Sequence, residues 1–140
     1  MPIPMHYETR YEWSGQKENG TAYAEGLPPL AVGDPAEGDA WAPEYMLVAA
    51  TEICLLNTFL YIANLSKVAV KAYRSTAAGD LTFEKGKGYR FERIVIRPVL
   101  TVAPEDREKA ERVLERAHQA CLISRSLNCP VEVEPQFVVG

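Results

Sequence analysis

The sequence lacks the features by which several functional classes are recognised. It has fewer basic residues (15 Lys and Arg) than acidic ones (19 Asp and Glu), and its net charge of −4 leaves no positive excess to meet phosphate backbones. We therefore expect no nucleic-acid partner. The chain does not open with a basic segment followed by an apolar run, so we expect no secretory signal and a cytoplasmic protein.

Motifs of the common catalytic and binding classes are also missing. The sequence has no glycine-rich dinucleotide or phosphate loop, no zinc-protease helix and no serine-hydrolase elbow. Its three cysteines, Cys54, Cys121 and Cys129, lack the short repeated spacings of zinc sites and of disulfide-rich secreted scaffolds. We expect neither a metal nor a bound cofactor. In a reducing compartment such thiols are either buried core residues or reactive groups.

What the sequence does contain is the composition of one globular domain. Of its 140 residues, 47% are hydrophobic and 24% are charged, which is ordinary usage for a folded chain. This length is typical of a single domain, and neither an internal repeat nor a low-complexity tract divides it. We therefore predict one domain over residues 1–140.

Strand patterns occupy both ends of the chain and its middle. Residues 6–13 alternate strictly between polar and apolar, which is typical of a half-buried strand, and we interpret the face with Tyr7, Tyr11 and Trp13 as sheet core. A glycine-containing turn at 86–88 separates two further strands. In all, strands are predicted over 6–13, 21–25, 27–32, 67–74, 81–84, 89–102 and 131–139.

A long apolar segment between the strand regions predicts a central helix. Pro43 suits the first helical position, and Glu44 suits the positive end of the helix dipole. Residues 45–63 are apolar nearly all round, so this helix should be buried on most sides. A membrane span is the competing interpretation, but Glu52 within the segment would cost roughly 2.5–3.5 kcal/mol on insertion scales. Since amphipathic strands also flank the segment, we expect no membrane insertion.

A second helix is predicted from Pro104 onward. Its apolar positions recur with the period of a helix and define one inward face, so the last of them, Cys121, should point inward. The opposite face carries mixed charges typical of solvated surface. The inward positions are Ala110, Val113, Leu114, Ala117 and Cys121.

The central helix also bears on assembly. A helix that is apolar on most sides needs cover from several directions, and a few short strands in one small chain do not supply it. A second copy of the chain would, so the pattern favours a homodimer with a large apolar interface.

Two motifs carry two of the cysteines. Pro43-Glu44 opens the first helix with Cys54 ten residues after Glu44, and Ala117-His118 precedes Cys121 late in the second helix. In this order, with matching elements from about residue 7 to residue 138, the motifs resemble the OsmC/Ohr family of osmotically inducible protein C and organic hydroperoxide resistance proteins. The resemblance implies an α+β fold in which antiparallel sheets wrap around two central helices in an intertwined homodimer.

The same resemblance implies a thiol-dependent peroxidase acting on organic hydroperoxides. In the family the first cysteine attacks the peroxide and becomes a sulfenic acid, a role that falls to Cys54. The second cysteine condenses with it, which makes Cys121 the resolving thiol. A dithiol reductant, such as a lipoylated or thioredoxin-like protein, then reduces the disulfide.

One position departs from the family pattern. The family activates its thiol with an arginine from the loop after the first strand, held by the glutamate of the first motif, which is Glu44 here. The position that matches best in this chain is Lys17, and lysine lacks the two-pronged geometry of arginine. Either Lys17 substitutes, or Arg10 or Arg125 approaches from elsewhere, or the activity is weak or lost.

Further residues and a second function remain open. Glu52 is interpreted as part of a structural ion pair or a dimer contact rather than as a catalytic group. His118 shares a helical face with Cys121 and is either a proton acceptor or a packed histidine. Cys129 matches neither family cysteine. The alternative function is a non-catalytic dimer that binds a small lipid-like molecule or senses redox state, with Cys54 and Cys121 as packing or sensing groups.

Overall fold

The computed structural model describes residues 2–140. Contacts divide the chain into two compact units, one ending at Leu47 and the other spanning Val48–Gly140. The two units are described separately below. The single domain over residues 1–140 stays a prediction.

The first unit contains a three-stranded antiparallel sheet. It is formed by β1 (Arg10–Trp13), β2 (Gly20–Tyr23) and β3 (Leu30–Val32), with β2 in the middle. The first two strands pair as an antiparallel hairpin, and β1 begins at Arg10 and not at the predicted His6. A Cβ atom on Gly20 would lie 2.1 Å from Tyr11 Oη, so the tyrosine ring lies over the glycine of the neighbouring strand.

The aromatic face predicted over residues 6–13 is not the sheet core that the alternation indicated. Tyr7, Tyr11 and Trp13 are 68%, 53% and 63% exposed, which makes that interpretation wrong within one chain. Trp13 donates a hydrogen bond from Nε1 to the Lys17 carbonyl at 2.8 Å. The polar edge of the side chain therefore closes the turn, while the ring remains exposed to solvent. Alternation shows that a strand has two different faces, but it does not say whether the cover comes from the same chain.

The central helix, α1, spans Pro43–Leu65, close to its predicted bounds. By length and composition it could cross a membrane, although the core helix of a soluble protein meets the same test. Its buried side comprises Thr51, Leu55, Thr58, Phe59 and Ala63. Its other side is less covered than predicted, because Ile53 is 59% and Leu65 is 67% exposed.

Two long antiparallel strands dominate the second unit. They are β4 (Val70–Glu84) and β5 (Gly88–Val102), joined by a turn in which Lys87 N donates to Glu84 O at 2.9 Å. The predicted strands at 67–74 and 81–84 therefore form one continuous strand. The link between them is rich in alanine and glycine and has little strand propensity, and it is extended because it pairs with β5 throughout.

The chain then returns along the sheet. A 3-10 turn (Pro104–Asp106) leads into α2 (Arg107–Ala120) and the short α3 (Leu122–Arg125). Two strands follow, β6 (Val131–Val133) and β7 (Gln136–Val139), and both run parallel to β5.

The final strand was predicted as one piece over residues 131–139. It is divided before Gln136 by Pro135, which has no N–H to donate to a ladder. Because β6 and β7 are parallel to β5, the sheet is mixed where an antiparallel one was expected.

The core of the second unit joins both helices to the long hairpin. Its residues come from α1, β5 and α2 and the segment between α1 and β4, and the predicted α+β class is confirmed. They are Leu55, Phe59, Ala63, Val68, Ile94, Ile96, Leu100, Val102, Ala110, Val113, Leu114 and Ala117.

Candidate functional site

Two thiols of the second unit meet where α1 faces the end of α2. Cys54, Cys121 and Cys129 are all free thiols. Cys54 lies close enough to Cys121 to raise the pKa of the Cys121 thiol. Cys54 is half-buried, whereas Cys121 is 0% exposed. The structure therefore brings together the two cysteines that the sequence singled out, with only the first of them open to a solute.

The backbone around Cys121 fixes where its side chain points. Helix α2 ends at Ala120, Cys121 is extended (φ −63°, ψ 115°), and α3 begins at the next residue. Cys121 N donates to His118 O at 3.4 Å and Cys121 O accepts from Arg125 N at 3.0 Å, so the helix breaks at the thiol and resumes. The inward direction of Cys121 is confirmed. The break carries no glycine or proline, so no local pattern predicted it.

The buried thiol is held in its protonated form. Burial raises the pKa of Cys121 above its ordinary value of 9.0, the Ser124 backbone N–H lowers it, and the Cys54 thiol raises it again. The Ser124 hydroxyl acts in the lowering direction too, but less strongly. Since the net shift is upward, Cys121 is a thiol and not a thiolate near neutral pH.

Ser124 is a site residue that the sequence analysis missed. Its Oγ is buried and has no partner of hydrogen-bonding geometry within residues 2–140, although it is close enough to influence Cys121. Such a hydroxyl is free to donate a hydrogen bond to the Cys121 sulfur when that sulfur loses its proton. The sequence feature that could have identified Ser124 is its spacing. It follows Cys121 by three residues, just as His118 precedes Cys121 by three.

Glu44 and Lys17 belong to the first unit, and the structure does not bring them together. Lys17 Nζ lies 3.7 Å from Glu37 Oε2, and both side chains are largely solvated. Glu44 Oε1 is buried and finds no hydrogen-bond partner among the described residues. The cation that the sequence assigned to Glu44 is thus paired with another carboxylate.

The two alternative arginines are engaged or exposed. Arg10 stacks on the ring of Tyr23 at 4.1 Å and donates from Nη1 to Glu12 Oε1 at 3.1 Å. Arg125 is exposed at the end of α3, four residues after Cys121.

Glu52 makes a hydrogen bond within the chain and no ion pair among the described residues, while the alternative of a dimer contact stays a prediction. Its Oε2 accepts a hydrogen bond from Ser75 Oγ on β4. Burial raises the pKa of Tyr73 to about 12, with a smaller contribution from the charge of Glu52. The Tyr73 hydroxyl is buried and makes no hydrogen bond within the described part of the chain. Glu52, Ser75 and Tyr73 thus form a polar cluster between α1 and β4.

Cys129 is a packed side chain, whereas His118 is half-buried at the edge of a groove. His118 Nδ1 is buried and unpartnered among residues 2–140, and Cys129 packs against the core. An open groove of about 900 Å³ lies between α2 and the last two strands; His118 lines it, and neither Cys54 nor Cys121 does. Residues 2–140 contain no group of three His, Cys, Asp or Glu side chains placed to hold a metal ion.

A pair of neighbouring thiols, one on α1 and the other at the end of α2, in a unit whose helices share a core with a mixed sheet, defines a two-cysteine α+β protein. The matching family model describes an OsmC-like protein and covers residues 36–136. The chain belongs to this family, the OsmC/Ohr family, as its two cysteine motifs predicted.

Known relatives agree over nearly the whole chain. The uncharacterised Bacillus subtilis protein YmaD is 21% identical over 137 residues, 92% of this chain and 91% of its own. An OsmC-like protein of unknown function from Vibrio cholerae superposes with a TM-score of 0.83 at 20% identity, covering 94% of this chain and 99% of that one. An organic hydroperoxide resistance protein from Legionella pneumophila superposes with a TM-score of 0.76 at 21% identity, covering 99% and 100%. At these identities the structures show the fold.

Proposed function

We propose that the protein is a thiol-dependent peroxidase that reduces organic hydroperoxides through a Cys54 sulfenic acid and a Cys54–Cys121 disulfide. The observation that carries this proposal is the thiol pair itself. One thiol is reachable from solvent, the other is fully buried, and the two lie within interaction range. The name of the Legionella pneumophila relative, an organic hydroperoxide resistance protein, supports this substrate class.

The first chemical step needs a thiolate at Cys54. Its sulfur attacks the terminal, hydroxyl oxygen of the hydroperoxide, and the O–O bond breaks. The alkoxide leaves and takes up a proton to become an alcohol. Cys54 becomes a sulfenic acid. Because this step uses only the half-buried thiol of Cys54, it does not require Cys121 to ionise.

The second step uses the buried thiol. The Cys121 sulfur attacks the sulfenic sulfur, the S–O bond breaks, and an S–S bond forms. The proton of Cys121 leaves with the hydroxide as water. A dithiol reductant, for which a lipoylated or thioredoxin-like protein is proposed, then takes the disulfide back to two thiols and is itself oxidised.

Glu44 and Lys17 are proposed as the groups that favour the Cys54 thiolate. A buried carboxylate oxygen without a hydrogen-bond partner costs free energy. We therefore propose that Glu44 accepts a hydrogen bond from a donor that is present when substrate is bound. The pairing of Lys17 with Glu37 is solvated and therefore weak, which leaves the lysine free to exchange partners. In this role Lys17 supplies positive charge and Glu44 orients it.

A cytoplasmic homodimer is the proposed form of the protein. Support comes from apolar side chains that one chain leaves open on α1, including Ile53 (59% exposed) and Leu65 (67% exposed). The end of the long hairpin adds a second set, in which Phe83 and Tyr89 make an edge-on ring contact 5.1 Å between centroids. Both surfaces have the character of an interface core.

Peroxide consumption with single-cysteine replacements tests the enzyme. Reduced protein is mixed with tert-butyl or cumene hydroperoxide and dithiothreitol, and peroxide loss is followed for the wild type, Cys54→Ser and Cys121→Ser, with Cys129→Ser as the matched control. We expect turnover by the wild type and by Cys129→Ser, and none by Cys54→Ser. A wild type without turnover, or full activity in Cys54→Ser, would contradict the proposal.

A second candidate is a non-catalytic dimer that binds a small lipid-like molecule or senses redox state. Two observations favour it: lysine stands where the family has arginine, and Glu44 has no partner among the described residues. In the same assay this candidate predicts a disulfide between Cys54 and Cys121 without catalytic consumption of peroxide.

A further inference from the structure

The inference concerns the hydrogen bond between α1 and β4. Ser75 Oγ donates to Glu52 Oε2, and the contact joins two elements of the second unit across 23 residues of chain. Both side chains are partly buried. A hydrogen bond to a charged acceptor in such a place is stronger than a neutral one, and it leaves a costly unpaired carboxylate if it is broken.

Glu52 and Cys54 lie on opposite borders of the buried side of α1. Residues two apart on a helix are separated by about 200° of rotation. Between them, Thr51 and Leu55 are both 0% exposed, while Ile53 on the far side is 59% exposed. A rotation of α1 that pulled Glu52 away from the sheet would therefore also change the direction of Cys54.

Along the stretch of β4 from Ser75 to Gly79, packing alone defines this rotation poorly. The face of β4 that α1 covers begins with Tyr73, whose ring lies 6.2 Å from that of Phe59, and continues with the small side chains of Ser75 and Ala77, followed by Gly79. The helix approaches so closely that a Cβ on Gly79 would lie 2.8 Å from Val48 Cγ2. A surface of small groups permits close approach but offers few projections to lock a helix against turning. The Ser75–Glu52 hydrogen bond is a directional contact on that surface.

We propose that Glu52 is a positioning residue, which through Ser75 fixes the rotation of α1 and so holds Cys54 toward Cys121. The inference rests on the proposed function, because it concerns how the two thiols of that cycle are brought into register. Glu52 acts through the helix and does not touch the sulfurs. Tyr73 is not part of the device, since its hydroxyl makes no hydrogen bond to Glu52 among the described residues.

The test measures how readily the two thiols pair, without any peroxide. In a Cys129→Ser background, each variant is equilibrated with reduced and oxidised dithiothreitol, and the fraction of Cys54–Cys121 disulfide gives the effective concentration of one thiol at the other. We expect Ser75→Ala and Glu52→Ala to lower this quantity about fivefold, the size of one lost hydrogen bond. Glu52→Gln should keep the wild-type value, because its amide oxygen accepts the same hydrogen bond.

Tyr73→Phe is the matched control, and unfolding in urea is recorded for every variant. A positioning role predicts a lower effective concentration in Ser75→Ala with Tyr73→Phe unchanged. An unchanged effective concentration in Ser75→Ala, whatever its stability, would overturn the inference, and so would an equal fall in Tyr73→Phe.

The two experiments distinguish failure of the proposed function from failure of the positioning role. A wild type that pairs its thiols but consumes no peroxide contradicts the enzyme and leaves the positioning result standing. A wild type that consumes peroxide while Ser75→Ala pairs its thiols normally contradicts the positioning role alone.

Discussion

At the scale of single residues, the site depends on how unequal its two thiols are. Cys54 is half-buried on a helix, while Cys121 is fully buried at a break between two helices. In a reducing medium both are thiols, and the same burial that hides Cys121 from solutes also raises its pKa. In the proposed cycle this difference sets an order, in which the half-buried sulfur of Cys54 meets the oxidant and the buried sulfur of Cys121 meets only its neighbour.

Replacing Ser124 with alanine should make Cys121 harder to ionise. The hydroxyl lowers the pKa of Cys121, so Ser124→Ala should raise it, and Ser124→Thr should restore it. The measurement is thiolate absorbance at 240 nm during a pH titration of Cys54→Ser/Cys129→Ser protein, in which Cys121 is the only cysteine left. Ser126→Ala is the control, because that hydroxyl donates to Leu122 O and does not act on the thiol. A Cys121 titration unmoved by Ser124→Ala would contradict the assignment.

Tyr73 should titrate later than an ordinary tyrosine. Its pKa is raised from 10.0 to about 12, mainly by burial and further by Glu52. Because the folded pKa is the higher one, the stability it contributes is fully present below pH 10 and is lost as pH rises toward 12. Absorbance at 295 nm should show one of the seven tyrosines ionising late, and Tyr73→Phe should remove that step. A late step that survives in Tyr73→Phe would assign it to another residue.

At the scale of elements, the close approach of α1 to β4 depends on a glycine. A Cβ on Gly79 would lie 2.7 Å from Phe91 Cε1 and 2.8 Å from Val48 Cγ2, which is closer than side chains pack. Gly79→Ala should therefore lower the free energy of unfolding by about 1–3 kcal/mol, as overpacking does. Urea unfolding measures the change. The exposed neighbour Ala78→Ser should stay within about 0.5 kcal/mol, and equal losses in both variants would contradict the packing argument.

The elements also show what the sequence determines and what it leaves open. The long apolar run of residues 45–63, opened by Pro43, predicted α1 almost to its ends, since an apolar helix of that length has few alternatives. The strand β4 was predicted in two pieces, because Ala77-Ala78-Gly79-Asp80 has little strand propensity of its own and takes its shape from β5.

The same limit applies to the site. The cysteine motifs predicted the Cys54–Cys121 pair, and no local pattern predicted the break at Cys121 or the contact of Ser75 with Glu52. Such features arise only when distant segments meet. Motif spacing along one helix carries information about that helix, whereas a hydrogen bond across 23 residues depends on how two elements pack.

At the scale of the whole molecule, the exposed apolar surface of one chain supports the proposed dimer. Buried positions of α1 form only part of its circumference, and the β1 aromatics and the hairpin end are open as well. A monomer that exposed all of these side chains would tend to associate until they were covered. Closed twofold pairing is the commonest way for identical chains to do so.

The dimer is tested by placing one charge on the open side of α1. The wild type should sediment with twice the chain mass of 15.6 kDa. Ile53 is 59% exposed in the single chain, so Ile53→Glu should be tolerated by the monomer fold and should disfavour an apolar interface, shifting the mass toward 15.6 kDa. Met5→Glu is the control, because Met5 is 93% exposed and lies outside the helix. Circular dichroism checks that both variants keep their secondary structure. A wild type that sediments as a monomer would contradict the dimer. An Ile53→Glu variant that remains a folded dimer would place the interface somewhere other than this side of α1.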